Sequence, residues 1–409
     1  MRKICVVTGT RAEYGLLSRL MRLIKDSTKT QLQLVATNMH LSPKYGNTYH
    51  EIEADGFKID CTVPIIDEKA RNNNSVDTIR EMSRGLVGFA IAFEQLKPDM
   101  ILILGDRYEM LAVAETALIM RIPIAHISGG AISEGAFDDA IRHSITKMSQ
   151  LHFTEAESYR HRVIQLGELP DRVFNVGALG VENIKKMPLM GKEEIEKEID
   201  FKINNNTILV TYHPVTLGKR TAKDDIEDFV SALEERKDVQ VIFTMPNSDT
   251  GSQFIVDAIN DFVAKNPERA KAYKSLGVVR YLSVMRQVAA VVGNSSSGLV
   301  EVPSFGIPTL NIGDRQKGRL AADSVYNCAP DKKSVLNGLD MVLSPAFRQK
   351  AAETHNPYEK ENTAQTIYDV ISTYPLEQLN QKHFYDINHE DTGRDTCPWG
   401  QQGYSSQEY

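Results

Sequence analysis

Short apolar runs recur along this chain, separated by longer stretches whose apolar positions return every three or four residues. In the first half the runs lie at 4–8, 32–36, 100–104, 122–127, 151–154 and 172–176. Continuous runs of this length are what strands buried on both faces require. Between them, 75–96, 108–120 and 138–149 carry helical periodicity. The second half repeats the style, with strands expected near 207–212, 239–244, 278–282, 288–292 and 308–312. Alternating strands and helices predict parallel sheets covered by helices. The expected fold class is α/β, with two doubly wound Rossmann-like domains facing a cleft.

The stretch 187–206 is charged and poor in helix signal at its end, so the domain boundary is placed there. That gives an N-terminal domain over 1–186 and a nucleotide-binding C-terminal domain over 187–360. Asn356-Pro357-Tyr358 precedes a helix ending at about residue 373. The segment 361–387 is expected to pack back on the first domain. Residues 388–409 have no periodicity and hold the only tryptophan, Trp399. They read as a disordered or appended tail.

Charge narrows the partners. The 409 residues carry a net charge of −7 with no long basic block, which argues against nucleic acid and anionic membranes. No apolar run approaches the roughly 18 residues of a membrane span. The N-terminus begins at once as a strand, unlike a signal peptide. Cys5, Cys61, Cys328 and Cys397 form no CxxC pair, so a cytoplasmic location is expected.

The densest chemistry lies at 294–319. A strand runs into Asn294-Ser295-Ser296-Ser297-Gly298, and a second strand ends in a cluster with Arg315, Lys317 and Arg319. Ser295 and Ser296 supply hydroxyls, and Gly298 lets a backbone approach closely. A helix opening at about Gly298 adds partial positive charge, so the place suits a phosphate. Arg315 can close over the same anion, and Glu301 can accept from ribose hydroxyls. A helix cap explains each residue singly, but not the cluster.

Other candidates also follow strands. Gly105-Asp106-Arg107 sets an acid beside a base. Asp106 is read as handling a proton or sugar hydroxyl, and Arg107 as binding phosphate; helix capping is the bland alternative. In His126-Ile127-Ser128-Gly129-Gly130, His126 alternates with apolar residues, so a core histidine is the plainer reading. Asp138-Asp139-Ala140-Ile141-Arg142-His143 opens the next helix. His213-Pro214-Val215-Thr216 suits a leaving-group phosphate, and Arg11 in Thr8-Gly9-Thr10-Arg11 another phosphate or base contact. No HExxH, cysteine cluster or P-loop lysine occurs. No metal and no cofactor are expected.

Taken in order, Gly-Thr-Arg-Ala-Glu-Tyr-Gly at 9–15, Gly-Asp-Arg at 105–107, His-Ile-Ser-Gly-Gly at 126–130, Asp-Asp-Ala-Ile-Arg-His at 138–143, His-Pro-Val-Thr at 213–216 and Asn-Ser-Ser-Ser-Gly at 294–298 resemble the hydrolysing UDP-N-acetylglucosamine 2-epimerases of sialic-acid-type sugar biosynthesis. The resemblance runs from residue 1 to about 387. It implies the two-domain GT-B fold, a homodimer, and a UDP-sugar substrate that loses UDP through a glycal. It places Asp106, Asp138 and His213 in catalysis, and Arg11, Arg107, Ser295, Ser296, Glu301 and Arg315 on the nucleotide. His126, Ser128 and Arg142 fall to the sugar. Members commonly carry Glu or His where this chain has Ser128, and Glu where it has Ala131; the nearest acid is Glu134, added to the catalytic candidates. Some members use a UDP-2,4-diacetamido-trideoxyhexose on the way to legionaminic acid. A glycosyltransferase of the same fold and an inactive nucleotide-sugar binding protein are the other classes weighed.

Overall fold

The computed structural model describes residues 1–68, 74–134, 137–215, 220–246, 251–377, 379 and 381–387. The tail 388–409 with Trp399, and Thr216 of the His-Pro-Val-Thr motif, lie outside the described residues.

The first sheet holds seven parallel strands: β1 (Arg2–Thr8), β2 (Thr30–Thr37), β3 (Cys61–Val63), β4 (Met100–Leu104), β5 (Ile124–Ile127), β6 (Leu151–Thr154) and β7 (Val173–Asn175), in the order β3-β2-β1-β4-β5-β6-β7. The second holds six: β8 (Thr207–Thr211), β9 (Gln240–Thr244), β10 (Ala270–Tyr273), β11 (Ala290–Gly293), β12 (Thr309–Ile312) and β13 (Val325–Cys328), in the order β10-β9-β8-β11-β12-β13. The pairings are parallel throughout. This is a GT-B-type pair of Rossmann-like domains. Strand order reverses between β1 and β4, and again between β8 and β11. Ligands in open α/β sheets bind beyond the carboxyl ends at such switch points.

The core follows from the apolar runs. β4 is buried along its whole length, as a central strand covered on both faces must be. The run expected as a strand at 278–282 is instead part of the helix Gly277–Gln287. Val278, Leu282 and Met285 return at helical spacing and pack in the second core. The strand beside β9 is β10. The edge strands β3 and β13 are short, and half-exposed Thr62 and Asn327 interrupt their apolar signal. Within 187–206 the helix Lys192–Glu198 forms, and Ile195, Ile199 and Ile203 are buried with Leu209 and Ile242 of the second sheet.

The helix Thr363–Thr373 crosses back to the first domain. Ala364, Ile367 and Ile371 join Leu17, Leu20 and Ile24 in its core. Between the domains, Tyr159 and Tyr358 share a hydroxyl hydrogen bond of 2.7 Å, and both hold the Leu320 backbone. That tether fixes the segment carrying Arg319.

Candidate active site

A cavity of about 770 Å³ lies between the two sets of strand ends. Asp106, Arg107, Ser128, Asp138, Arg142 and Glu155 line it from the first domain. His213, Ser295, Ser296, Glu301, Arg315 and Arg319 line it from the second.

Asp106 follows β4 directly, on a turn that Gly105 makes with φ +82°. Arg142, 1% exposed, ion-pairs with it. The same guanidinium bonds Ser133 Oγ at 2.9 Å, the Ala131 carbonyl at 2.9 Å and Asp139 at 3.2 Å. Burial alone would raise the proton affinity of Asp106. Arg142, Arg319 and Arg315 outweigh it and hold the carboxyl below its ordinary range. Asp138 opens the next helix and sits 3.6 Å from Arg315.

The second domain meets this edge with the loop after β11. Asn294 Oδ1 accepts from the His213 N–H at 2.7 Å, and Asn294 Nδ2 donates to the His213 carbonyl at 2.8 Å. Gly293, at φ +132°, is required there: any β-carbon would overlap the Thr211 carbonyl oxygen. Gln316 Nε2 donates to the Asn294 carbonyl at 2.9 Å, so the basic segment is pinned to the serine loop. Ser297 is bonded to Glu301, and Tyr281 OH donates to Ser297 at 3.1 Å. Burial, reinforced by Glu155, raises the proton affinity of Glu301, while Ser297 opposes the shift.

Arg11, the first residue of its helix, reaches across the cleft and donates to the Lys274 carbonyl at 3.0 Å. A capping box formed by Thr10 and Glu13 fixes that helix start. Arg107 Nε pairs with buried Glu109 at 2.7 Å. The cations that hold the Asp106 carboxyl low are Arg142, Arg319 and Arg315.

Three sequence candidates fall outside the cavity wall. His126 is fully buried; Nε2 donates to the Gly105 carbonyl at 2.8 Å, and burial lowers its pKa to about 4. It braces the turn under Asp106 and does not line the cavity. Glu134 lies half-exposed on the rim, 2.9 Å from Lys317. Gly298 faces β12, where a β-carbon would come 2.8 Å from Thr309. The helix there, Ser297–Val300, is a single turn, so its dipole adds little to this edge of the cavity.

Glu155, just past β6, was not among the sequence candidates. Ser128 Oγ donates to Glu155 Oε1 at 2.8 Å. Gln316 was missed as well. An acid one residue beyond a strand of the same sheet was the available signal for Glu155.

Comparison with known proteins fits this geometry. Residues 22–372 match the family profile described as UDP-N-acetylglucosamine 2-epimerase. The chain belongs to that family. It is 43% identical, over 85% of its length and 89% of the relative's, to the GDP/UDP-N,N'-diacetylbacillosamine 2-epimerase (hydrolyzing) of Campylobacter jejuni. It is 38% identical to the polysialic acid biosynthesis protein P7 of Escherichia coli, over 95% of this chain and 98% of that one. In fold it is similar to the UDP-GlcNAc 2-epimerase of Neisseria meningitidis bound to UDP-GlcNAc, with a TM-score of 0.74, 18% identity, and 90% and 99% of the two chains covered. Among the described residues no helix is long and apolar enough to cross a membrane, and no group of three His, Cys, Asp or Glu is placed to hold a metal.

Proposed function

We propose that this epimerase-family chain hydrolyses a UDP-linked 2-acetamido sugar with inversion at C2, and that its sugar is N,N'-diacetylbacillosamine. The observation that carries the reaction is the arginine-held Asp106 edge facing the Ser295–Arg315 edge across one cavity. The sugar rests on the 43% identity to the Campylobacter jejuni enzyme. N-acetylglucosamine is the second reading, favoured by the description of the matching family.

The chemistry follows from the substrate. The C2 hydrogen is not beside a carbonyl, so it becomes acidic only as the anomeric C–O bond breaks. Ser295, Ser296, His213 and Arg315 take the diphosphate and its growing negative charge. Asp106, kept ionised by its arginines, faces the positive charge that grows on the ring. Asp138 accepts the C2 proton. The C–H electron pair becomes the C1–C2 double bond, the C1–O pair leaves with UDP, and a glycal remains. Water then adds at C1 and a proton returns to C2 from the other face. The free 2-epimer supplies a condensing reaction of nonulosonic acid biosynthesis, of the legionaminic or sialic type.

The working unit is proposed to be a homodimer in the cytoplasm. Val76, Ile79, Val87 and Ile91 form an exposed stripe on the helix Ser75–Leu96, beside Ile119 at 81% exposure. A cluster of exposed apolar side chains on one helix face supports the dimer reading.

The test is incubation with UDP-N,N'-diacetylbacillosamine, its GDP analogue and UDP-N-acetylglucosamine, with products read by NMR. Free 2-epimer and nucleoside diphosphate are expected, fastest from the diacetamido substrate. Transfer of the sugar to an acceptor without change at C2 would make the chain a glycosyltransferase.

A further inference from the structure

We propose that Glu155 is the catalytic acid that delivers the proton to C2 of the glycal, with Ser128 as its positioning residue; this rests on the hydrolysing epimerase reading above. The account so far leaves that donor unassigned. Glu134 is on the rim with Lys317, and His126 is buried beneath Gly105. Glu301 is engaged by Ser297 on the nucleotide side. The Ser128 hydroxyl is a far weaker acid than a carboxyl, and its hydrogen is already given to Glu155.

Glu155 has the required placement. It stands one residue beyond β6, at the carboxyl end of the sheet that carries Asp106, and it lines the same cavity. The Ser128 N–H donates to the Phe153 carbonyl at 2.8 Å, which ties the loop after β5 to β6 two residues before Glu155. Ser128 holds φ +69°, a left-handed conformation that non-glycine residues rarely adopt. Backbone strain kept at a cleft residue marks a position that the surroundings over-determine. Here it sets the Ser128 hydroxyl on the Glu155 carboxyl.

The charges around Glu155 fit a donor. Arg319 and Arg142 lie on one side of the balance, Asp106 and Glu301 on the other. Burial raises its proton affinity, and Arg319 and the Ser128 hydrogen bond only partly offset that. Asp106, in the same wall, is shifted the opposite way. Two carboxyls driven apart in this manner divide into a proton carrier and a fixed charge.

The step balances. The proton leaves Glu155 for C2, and the C1–C2 π pair forms the new C–H bond. C1 becomes an oxocarbenium carbon. A water oxygen bonds to it, and the spare water proton returns to Glu155. Asp138 releases the original C2 proton to solvent. One water is consumed, and UDP, the 2-epimer and one proton are released.

The experiment compares wild type, Glu155→Gln and Ser128→Ala on the diacetamido and N-acetylglucosamine substrates, following UDP, glycal and 2-epimer separately. Glu155→Gln is expected to keep UDP-induced thermal stabilisation and to release glycal with UDP. Its 2-epimer formation should fall by about 100-fold or more. Ser128→Ala should lose less, and its kcat should decline at higher pH than that of wild type, because the Ser128 hydrogen bond lowers the proton affinity of Glu155. If Glu155→Gln folds poorly, formate should restore 2-epimer formation to Glu155→Ala. A Glu155→Gln enzyme forming 2-epimer at the wild-type rate, or one losing UDP and 2-epimer equally without glycal, overturns the assignment. So does a poorly folded Glu155→Gln together with Glu155→Ala that formate does not rescue. A wild type inert on both sugars overturns the epimerase reading itself, and this assignment with it.

Discussion

Asn294 and His213, eighty-one positions apart in sequence, close the two strand ends of the second domain on each other: the Asn294 side-chain amide accepts from the His213 N–H and donates to the His213 carbonyl. Replacing Asn294 with Ala leaves a buried N–H and a buried carbonyl without partners. That costs about 1–3 kcal/mol for each group. It also removes two of the contacts that hold His213 in the cavity wall. Both the melting temperature and kcat should fall, and UDP should bind more weakly by calorimetry. Unchanged UDP affinity would mean that His213 is held by other contacts.

Arg142 is the buried cation of the Asp106 edge. Arg142→Ala strands Asp106 and the Ala131 carbonyl, and breaking a buried pair in this way costs roughly 3–5 kcal/mol. The sign of the pH effect follows from Asp106. Its folded pKa lies below the ordinary 3.8, so its stabilisation is complete above that value and is lost as pH falls through the folded pKa. The Asp106 contribution to acid unfolding should shrink in Arg142→Ala, with Arg319 and Arg315 remaining, and the acid limb of activity should move to higher pH. Melting curves and kcat measured from about pH 2 to pH 6 decide this. An acid limb that stays in place would remove Asp106 from the chemistry.

Ile79→Glu with Ile91→Glu should turn a dimer into a monomer, since both side chains stand out from the exposed stripe. Light scattering reads the mass. A wild type that is monomeric at all concentrations would contradict the dimer proposal.

UDP alone should raise the melting temperature by mass action, and a chelator should change neither that shift nor turnover. Ser295, Ser296 and Arg315 line the cavity where the proposed substrate's diphosphate would sit. Loss of activity in EDTA, restored by magnesium, would overturn this.

The sheets were legible because β1, β4, β5 and β11 are buried on both faces and so spell continuous apolar runs. The helix Gly277–Gln287 was misread because a short apolar run with β-branched residues fits a strand or a buried helix face equally. Asp106, His213 and the Ser295–Arg315 segment could be singled out because each follows a strand. His126, Glu134 and Gly298 show the limit of that rule. It gives a residue's position on the chain, not whether its side chain meets the cavity, a neighbouring strand or solvent. For Glu155 the position one residue beyond β6 was legible, but its contact with Ser128, 27 residues away, was not.

The most direct test of the central claim is the reaction run in heavy water, with NMR of the released sugar. Elimination through a glycal and reprotonation predicts the free 2-epimer with one deuterium at C2, formed together with UDP. Asp106→Asn should still bind UDP yet lose about 100- to 1,000-fold in turnover. A released sugar that keeps its original C2 hydrogen, or an Asp106→Asn enzyme with normal turnover, would contradict the account.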